Sequence, residues 1–373
     1  MPYRILYVIG NGFDLGLGLK TSYLDFLNWY KVQPQIEPGD AFTEAMRQNI
    51  CVDLRKRNPT WADAEMAFAR QQFSRIGQDV RNSFSRCRHD LTKRLYEYVR
   101  QREAKVFESC DGQKLSCVRS WFGRYLFEVF RQEGEMYLPW VIGGGDGANS
   151  SRIEIEFISL NYTRTLEKLL PKSRYEWFDG EGKKEYEIVR GVPYHLHGDA
   201  NPKSGALAAF GVSYADDVKD RALRNLSEEY GYMLKPSMNF TEYAAARKMI
   251  SRANSIVLMG TSCGYSDRAL WNMILNHMLM HGDAVCLYLC CFGDVCDENF
   301  LRHTDAFGGC RGAVENCVFE TARGMFRTPD GELSKDDPLR LDWIKRVMKK
   351  DSDVELRYPV GRLFQPALPF LIG

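Results

Sequence analysis

RILYVIGNGFDLGLGLKTSYLD, residues 4–25, is the stretch that decides the fold. Its residues Ile5 to Ile9 form a short apolar run rich in β-branched and aromatic side chains, and the run ends at Gly10. Ser22 and Asp25 then match the capping box that begins many helices. The stretch therefore predicts a buried strand, a glycine-rich loop and a helix, an order typical of nucleotide-binding α/β folds.

The loop from Gly10 to Gly18 has glycines at four positions, which would let its backbone N–H groups approach a pyrophosphate. Its spacing differs from the dinucleotide-binding fingerprint, because Leu15 stands where the third glycine would fall. Asp14 would repel a phosphate, so we expect it to bond a ribose or neighbouring backbone N–H groups. For this loop alone, a tight turn after the first strand of any α/β fold is an equal alternative.

Composition narrows the class of protein. The 373 residues carry 50 basic and 49 acidic side chains, a formal net charge of +1, so we expect no nucleic-acid partner. The 11 cysteines are odd in number and never spaced C-x-x-C, which predicts reduced thiols rather than disulfides or a zinc ribbon. The longest apolar runs have the length of strands, and the amino terminus does not resemble a signal peptide. We therefore expect a cytoplasmic protein with no membrane partner.

Strands and helices alternate over much of the chain, which predicts an α/β fold with a mostly parallel, Rossmann-like sheet. Strand-like runs stand at 153–160, 192–199, 255–262 and 284–292. Residues 40–150 show mainly helical periodicity and form a large helical insertion after the first strand-helix unit, closing with a linker at 143–151. The division is then a core of 1–39 and 151–325, the insertion, and an extension at 326–373 that packs on the core.

Polar residues gather where the predicted strands end. The segments are Gly10 to Gly18, Asn161 to Thr163, His197 to Asp199, and Gly260 to Asp267. Because parallel strands share one carboxyl edge, we expect these four segments to meet at one crevice. An amide, an imidazole and a glycine-rich loop together suit the binding of a dinucleotide and chemistry at its ribose.

The amino-terminal motif IGNGFDLGLGLKTSYLDF, with TWADAE at 60–65, resembles the AbiH family of bacterial abortive-infection proteins. The later motifs resemble the sirtuin fold and its defence-associated relatives that hydrolyse NAD. In that comparison, the resemblance aligns Gly10, Gly12 and Gly18 with the sirtuin glycine motif, and Asn161 with the asparagine of QNxD. It further aligns His197-Gly198 with the catalytic His-Gly pair, and Gly260-Thr261-Ser262 with a late dinucleotide contact.

Departures from the sirtuin pattern limit what the resemblance implies. Asp14 replaces a small hydroxyl residue, and Leu160 and Thr163 replace the glutamine and aspartate of QNxD. No cysteine occurs between His197 and Cys263, so the zinc module of the deacetylases is missing and we expect no metal. The resemblance therefore implies NAD hydrolysis, or binding of NAD or a related nucleotide without turnover.

For the hydrolase, the resemblance implies Asn161 and His197 as catalytic residues, one orienting the water and the other acting as a base. The expected nucleotide contacts are Gly10, Asn11 and Gly12 at the pyrophosphate, Gly198, Gly260, Thr261 and Ser262 along the rest of the molecule, and Asp14 and Asp267 at ribose hydroxyls. His195 is a weaker candidate, because it should point to the opposite face of its strand.

Each of these residues also has a structural explanation when taken alone. Asn161 with Thr163 makes a good helix N-cap, His197 is typical of a buried satisfied histidine, and Glu65 stands at a helix start where a carboxylate favours the dipole. Two hypotheses follow from their joint placement. The first is an antiphage effector that hydrolyses NAD when a phage-derived trigger or a change in a homo-oligomer releases it. The second is a non-catalytic sensor of NAD or ADP-ribose.

Overall fold

The computed structural model describes residues 2–37, 39–55, 64–72, 79–108, 112–128, 152–170, 174–178, 184–200, 208–261, 265–281 and 285–290. It also describes five two-residue strands elsewhere in the chain. The predicted linker at 143–151 and nearly all of the predicted extension at 326–373 lie outside these residues.

A mostly parallel sheet forms the centre of the described chain. Its strands are β1 (Tyr3–Ile9), β4 (Arg152–Ser159), β5 (Arg174–Phe178), β6 (Lys184–Arg190), β7 (Tyr194–His195), β8 (Ser255–Met259), β9 (Cys286–Cys290) and β12 (Leu356–Arg357). Two small antiparallel pairs stand apart from it, β2 (Arg131–Gln132) with β3 (Glu135–Met136) and β10 (Arg327–Thr328) with β11 (Gly331–Glu332).

The order across the sheet is β12-β9-β8-β1-β4-β6-β5, with β7 also paired to β4. The pairs of β1 with β4 and β8 are parallel, as are those of β4 with β6 and β7, whereas β5 runs antiparallel to β6. The strands that follow β1 in the chain, β4 to β7, lie on one side of β1 in the sheet. The chain then crosses over, and β8 pairs with β1 on its other side. The strand order thus reverses at β1, and such a switch point is where open α/β sheets usually bind ligands.

Helices account for most of the remaining described residues. They are α1 (Asn11–Gly16), α2 (Tyr23–Tyr30), α3 (Ala41–Arg55), α4 (Ala64–Ala69), α5 (Val80–Glu108), α6 (Gly112–Glu128), α7 (Thr165–Leu169), α8 (Arg221–Tyr230), α9 (Lys235–Met238), α10 (Phe240–Ile250) and α11 (Arg268–His281). Helix α2 begins as predicted, because the Ser22 hydroxyl accepts a hydrogen bond from the backbone N–H of Asp25 at 3.1 Å.

Both faces of β1 are covered by helices, as a mostly parallel sheet requires. Ile5, Tyr7 and Ile9 pack in the same core cluster as residues of α6, while Leu6 and Val8 pack with residues of α10 and α11. A further core joins α2, α3, α4 and α5 to the segment around 208–233. The α/β, Rossmann-like class predicted from the sequence is confirmed.

Two local predictions are wrong. The segment after β1 was expected to be an open loop, but Asn11–Gly16 is helical and only the residues that follow it form a turn. No strand was predicted between residues 160 and 192, but residues 174–178 and 184–190 pair as β5 and β6. Charged side chains alternate with apolar ones in KEYEIVR, so β6 lacks the continuous apolar run of a strand buried on both faces.

Candidate functional site

The two glycine segments at the switch point are bonded to each other. The N–H of Gly10 donates to the Met259 carbonyl at 2.9 Å, and the N–H of Gly12 donates to the Gly260 carbonyl at 2.6 Å. These two amides are therefore occupied within the protein. The expectation that they bind a pyrophosphate does not agree with this arrangement.

Close packing explains why glycine stands at both positions. A Cβ added to Gly10 would lie 2.6 Å from the Cα of Thr261, and one added to Gly12 would lie 2.6 Å from the Gly260 carbonyl oxygen. Gly260 itself has a φ of +63°, in the left-handed region that favours glycine. Thr261 thus packs against Gly10, while Ser262 lies outside the described residues.

The Asn11 side chain holds the turn that follows α1. Its amide donates to the Thr21 carbonyl at 3.1 Å, and the Thr21 hydroxyl donates to Asn11 Oδ1 at 2.7 Å. Both ends of this side chain are bonded inside the protein, so its described role is to join the start of α1 to the residues before α2.

Asn161 connects the end of β4 to the end of β1. Its side-chain amide donates to the Gly10 carbonyl at 3.1 Å, and its backbone N–H donates to the Ser159 hydroxyl at 3.2 Å. Its Oδ1 is buried and accepts no hydrogen bond from the part of the chain that the structure describes. The helix-cap alternative is wrong, because Arg164 is the residue that precedes α7.

Asp14 is 1 % exposed and accepts a hydrogen bond from the Thr163 hydroxyl at 2.6 Å. Burial raises the pKa of Asp14 to about 7, although the bond from Thr163 opposes this shift. Asp14 and Thr163 both replace residues of the sirtuin motifs, and in this structure they are hydrogen-bonded to each other. A carboxyl group with a raised pKa thus lies buried between the ends of β1 and β4.

His197 belongs to a buried charged network. Its Nε2 lies 2.9 Å from Asp267 Oδ1, and the same oxygen accepts a hydrogen bond from Lys235 Nζ at 2.7 Å. Lys235 also donates to Glu65, whose second oxygen accepts a hydrogen bond from the Tyr162 hydroxyl at 3.3 Å. We call the four charged or ionisable residues Glu65, Lys235, Asp267 and His197 the buried network.

The buried network fixes the charges of its members. Burial would raise the pKa of Asp267, but Lys235 and His197 hold it well below its ordinary value. Burial would lower the pKa of Lys235, but Asp267 and Glu65 raise it above its ordinary value. Asp267 is therefore an anion, and its Oδ1 lies 2.9 Å from Nε2 of the His197 imidazole.

His195 lies in a second cluster on the other side of Asn161. Its Nδ1 is 3.0 Å from the Asn161 carbonyl oxygen, and its Nε2 is 2.8 Å from Glu167 Oε1. Asp199 lies nearby, and Arg164 Nε stands 3.4 Å from a carboxylate oxygen of both Glu167 and Asp199. Burial would lower the pKa of His195, but Glu167 raises it above its ordinary value. We call Glu167, His195, Asp199 and Arg164 the edge cluster.

The structure thus links all four segments predicted to meet. The Gly10 segment bonds Asn161 and Gly260, and the Tyr162 carbonyl accepts the N–H of Ala200, just after Asp199. Asp267 reaches His197 directly. Gly198 has a φ of +82° and turns the chain between the two histidine clusters.

A family model described as Bacteriophage abortive infection AbiH matches residues 6–288, which include every segment of this site. The chain belongs to the AbiH family. Membership links it to bacteriophage abortive infection, as the resemblance implied, whereas the sirtuin comparison stays a prediction. A search of curated proteins found no match.

Two residues of this AbiH chain's site were missed by the sequence analysis. Lys235 stands in MLKPSM and shows no motif, although it is completely buried. Glu167 lies in the short helix α7 and shows no motif either. Glu65 does lie in the first turn of α4, as the capping interpretation requires, but it is 2 % exposed and binds Lys235.

No helix in the described part of this AbiH chain is long and apolar enough to cross a membrane.

Proposed function

We propose that the chain is an abortive-infection effector that hydrolyses NAD to nicotinamide and ADP-ribose when infection triggers it. Membership of the AbiH family supports the role in phage defence. The observation that carries the chemistry is the pair of His197 Nε2 and Asp267 Oδ1, 2.9 Å apart, on the carboxyl edge that also bears Asn161. A histidine oriented by a carboxylate is the arrangement that general-base catalysis uses.

The reaction needs little from the protein besides orientation and a base. Nicotinamide leaves as a neutral pyridine that takes the electrons of the N-glycosidic bond, and the ribose becomes cation-like at C1′. The oxygen of water then bonds to C1′, and His197 accepts the proton through a ribose hydroxyl. The unpaired Oδ1 of Asn161 is the acceptor that would orient this water.

The nucleotide contacts in this proposal differ from those of the sequence analysis. The amides of Gly10 and Gly12 are bonded to Met259 and Gly260, and the amide of Gly198 donates to the His195 carbonyl at 3.3 Å. The proposal therefore leaves the pyrophosphate to Thr261 and Ser262. Asp14, buried against Thr163, would act on the ribose only indirectly, by holding the segment that carries Asn161.

Restraint is part of the proposal, because continuous loss of NAD would kill the host cell. Glu65 belongs to α4, in the helical segment between α2 and β4, and it binds Lys235 of the buried network. A movement of α4 would therefore change the charge facing His197. We propose that a phage-derived trigger, or a change in a homo-oligomer, acts through this helical segment.

The first experiment measures nicotinamide release from NAD by the purified chain, alone and with extract of phage-infected cells. We expect turnover in at least one of these conditions. Removal of a general base lowers a reaction rate on the order of 100-fold or more. The rate of nicotinamide release should therefore fall by at least that factor in His197→Ala, and it should fall in Asn161→Ala as well.

His89→Ala is the matched control, because His89 is an exposed histidine on α5, outside both clusters. It should release nicotinamide like the wild type, and circular dichroism should show that all three variants are folded. Full turnover in folded His197→Ala protein would overturn the proposed mechanism.

A sensor that binds NAD or ADP-ribose without turnover is the second candidate, favoured by the enclosure of His197. The side chain is 3 % exposed, and Asp267 and Tyr162 stand beside it. A histidine so enclosed fixes the position of a loop more readily than it meets a large substrate. Saturable ADP-ribose binding by calorimetry, without nicotinamide release in any condition, would select this function.

A further inference from the structure

We propose that Glu167, His195 and Asp199 bind a divalent transition-metal ion at the edge of the sheet. The nitrogen and oxygen atoms that these three side chains offer all lie within 4.8 Å of one another. The sequence analysis expected no metal, because it considered only cysteine-based sites. This proposal stands apart from NAD hydrolysis and is tested without it.

The orientation of His195 is the first argument. The Asn161 carbonyl oxygen can only accept a hydrogen bond, so the nitrogen 3.0 Å from it, Nδ1, carries a proton. Nε2 is then the nitrogen left for a metal ion, which would replace the proton that Nε2 donates to Glu167 Oε1 at 2.8 Å. Metal-binding histidines commonly donate their other N–H to a backbone carbonyl in this way.

The spacing of the ligand atoms is the second argument. Nε2 of His195 and Oε1 of Glu167 are 2.8 Å apart. In a tetrahedral site, two ligands at about 2.1 Å from one ion lie about 3.4 Å apart, so this pair needs to open by about 0.6 Å. Asp199, whose ligand oxygen lies within 4.8 Å of the other two atoms, needs to move inward by at most about 1.4 Å.

Charge is the third argument. Two carboxylates, Glu167 and Asp199, lie beside His195, and in the described structure the cation next to both of them is Arg164, at 3.4 Å from each. A divalent ion among the three side chains would replace the proton on Nε2 and balance both carboxylates. The Arg164 side chain is 47 % exposed, so it is free to turn toward solvent when another cation enters. Glu167 also has a buried oxygen, Oε2, that accepts no hydrogen bond from the residues described.

The ligand set selects the class of ion. One imidazole nitrogen and two carboxylate oxygens suit borderline divalent ions such as Zn²⁺, Mn²⁺, Fe²⁺ or Co²⁺, whereas Mg²⁺ and Ca²⁺ prefer oxygen ligands alone. Since His195 is bonded to the Asn161 carbonyl, a bound ion would also fix the backbone of the segment that carries Asn161.

The test uses the full chain with its affinity tag removed and all metal stripped by a chelator. Zn²⁺ titration by calorimetry should show a site that His195→Ala and Asp199→Asn each weaken by at least about tenfold. His89→Ala, which removes an exposed histidine elsewhere, should keep the wild-type affinity. Thermal unfolding checks that each variant is folded. If His195→Ala is not folded, the affinity of Asp199→Asn, which preserves side-chain size, tests the proposal instead.

Co²⁺ absorption identifies the ligands, because thiolate-bound Co²⁺ shows an intense charge-transfer band and an ion bound by nitrogen and oxygen does not. We expect d–d bands without that charge-transfer band, lost in both cluster variants. Absence of a Zn²⁺ site in the wild type, wild-type affinity in the variants, or a thiolate band that survives in them would each overturn the proposal.

Discussion

His195 and His197 stand two residues apart in the segment HLHGD. Each faces a carboxylate, but the cations beside those carboxylates differ in their exposure to solvent. His197 faces Asp267 in the buried network, where Lys235 is completely enclosed and Glu65 is 2 % exposed. His195 faces Glu167 in the edge cluster, where the compensating cation, Arg164, is 47 % exposed. One network has its cation locked in place, and the other has a cation that solvent can replace.

The difference teaches what each cluster is suited to do. Charges that cannot move fix the geometry of a side chain, so the buried network is the better place for a catalytic or loop-ordering histidine. A cluster whose cation can leave is the better place for an exchangeable ligand. Asn161 lies between them, because its side chain bonds Gly10 and its carbonyl oxygen accepts from His195.

Removing the cation of the buried network should have the largest effect. Lys235→Met leaves two buried carboxylates, Glu65 and Asp267, without their cation, and breaking a buried ion pair costs about 3 to 5 kcal/mol. We expect a loss near the upper end, about 5 kcal/mol, in the free energy of unfolding measured with urea.

Lys31→Met is the matched control for that loss. Lys31 is exposed and donates to Asn28 Oδ1 at 3.0 Å, so its removal should cost at most about 0.5 kcal/mol. If the two lysine variants were equally stable, the buried network would not hold its geometry by charge, and the contrast between the two histidines would fail.

The next effect concerns Asp14, which lies near both β1 and β4. Burial raises the pKa of this carboxyl group from 3.8 to about 7, with Glu103 raising it further and Thr163 and His195 lowering it. Because the folded pKa exceeds the unfolded one, protonated Asp14 favours the folded state below pH 3.8, and this contribution is lost as the pH rises through about 7. A difference of this size corresponds to roughly 4 kcal/mol.

The side chain introduced by Asp14→Asn is neutral at every pH. Between about pH 4 and pH 7.5, the free energy of unfolding should therefore fall less in this variant than in the wild type, by up to roughly 4 kcal/mol. Urea denaturation at several pH values measures this. Glu228→Gln, on the exposed face of α8, is the control, and its free energy of unfolding should vary with pH as that of the wild type does. Parallel curves for Asp14→Asn and the wild type would show that Asp14 is ionised and solvated in the folded chain.

The sequence predicted the fold better than the site. The apolar runs that became β1 and β8 were visible because buried parallel strands need continuous apolar residues. The role of the glycines was ambiguous because two causes produce the same signal: phosphate binding and the close packing of Gly12 on Gly260 both require a missing Cβ.

The charged residues of the two clusters were hidden for another reason. Lys235 and Glu65 are 170 positions apart, and nothing near either one indicates that it will be buried opposite the other. Asn161 and His197 were found because they match the sirtuin motifs and follow predicted strand ends, where topology brings distant segments together. The sequence thus locates an edge of the sheet, whereas the pairing of charges along it depends on tertiary packing.

The smallest effect should come from the edge cluster. Arg164→Gln removes a cation that solvent already reaches, from two contacts of 3.4 Å, so the free energy of unfolding should fall by at most about 1 kcal/mol. Arg268→Gln is its opposite control, because Arg268 and Asp217 form a pair 3.1 Å apart with both side chains buried, and its loss should cost about 3 kcal/mol. A loss for Arg164→Gln as large as that for Arg268→Gln would mean that Arg164 is as tightly held as Lys235. The edge cluster would then be a second locked network, with no room for an exchangeable ion.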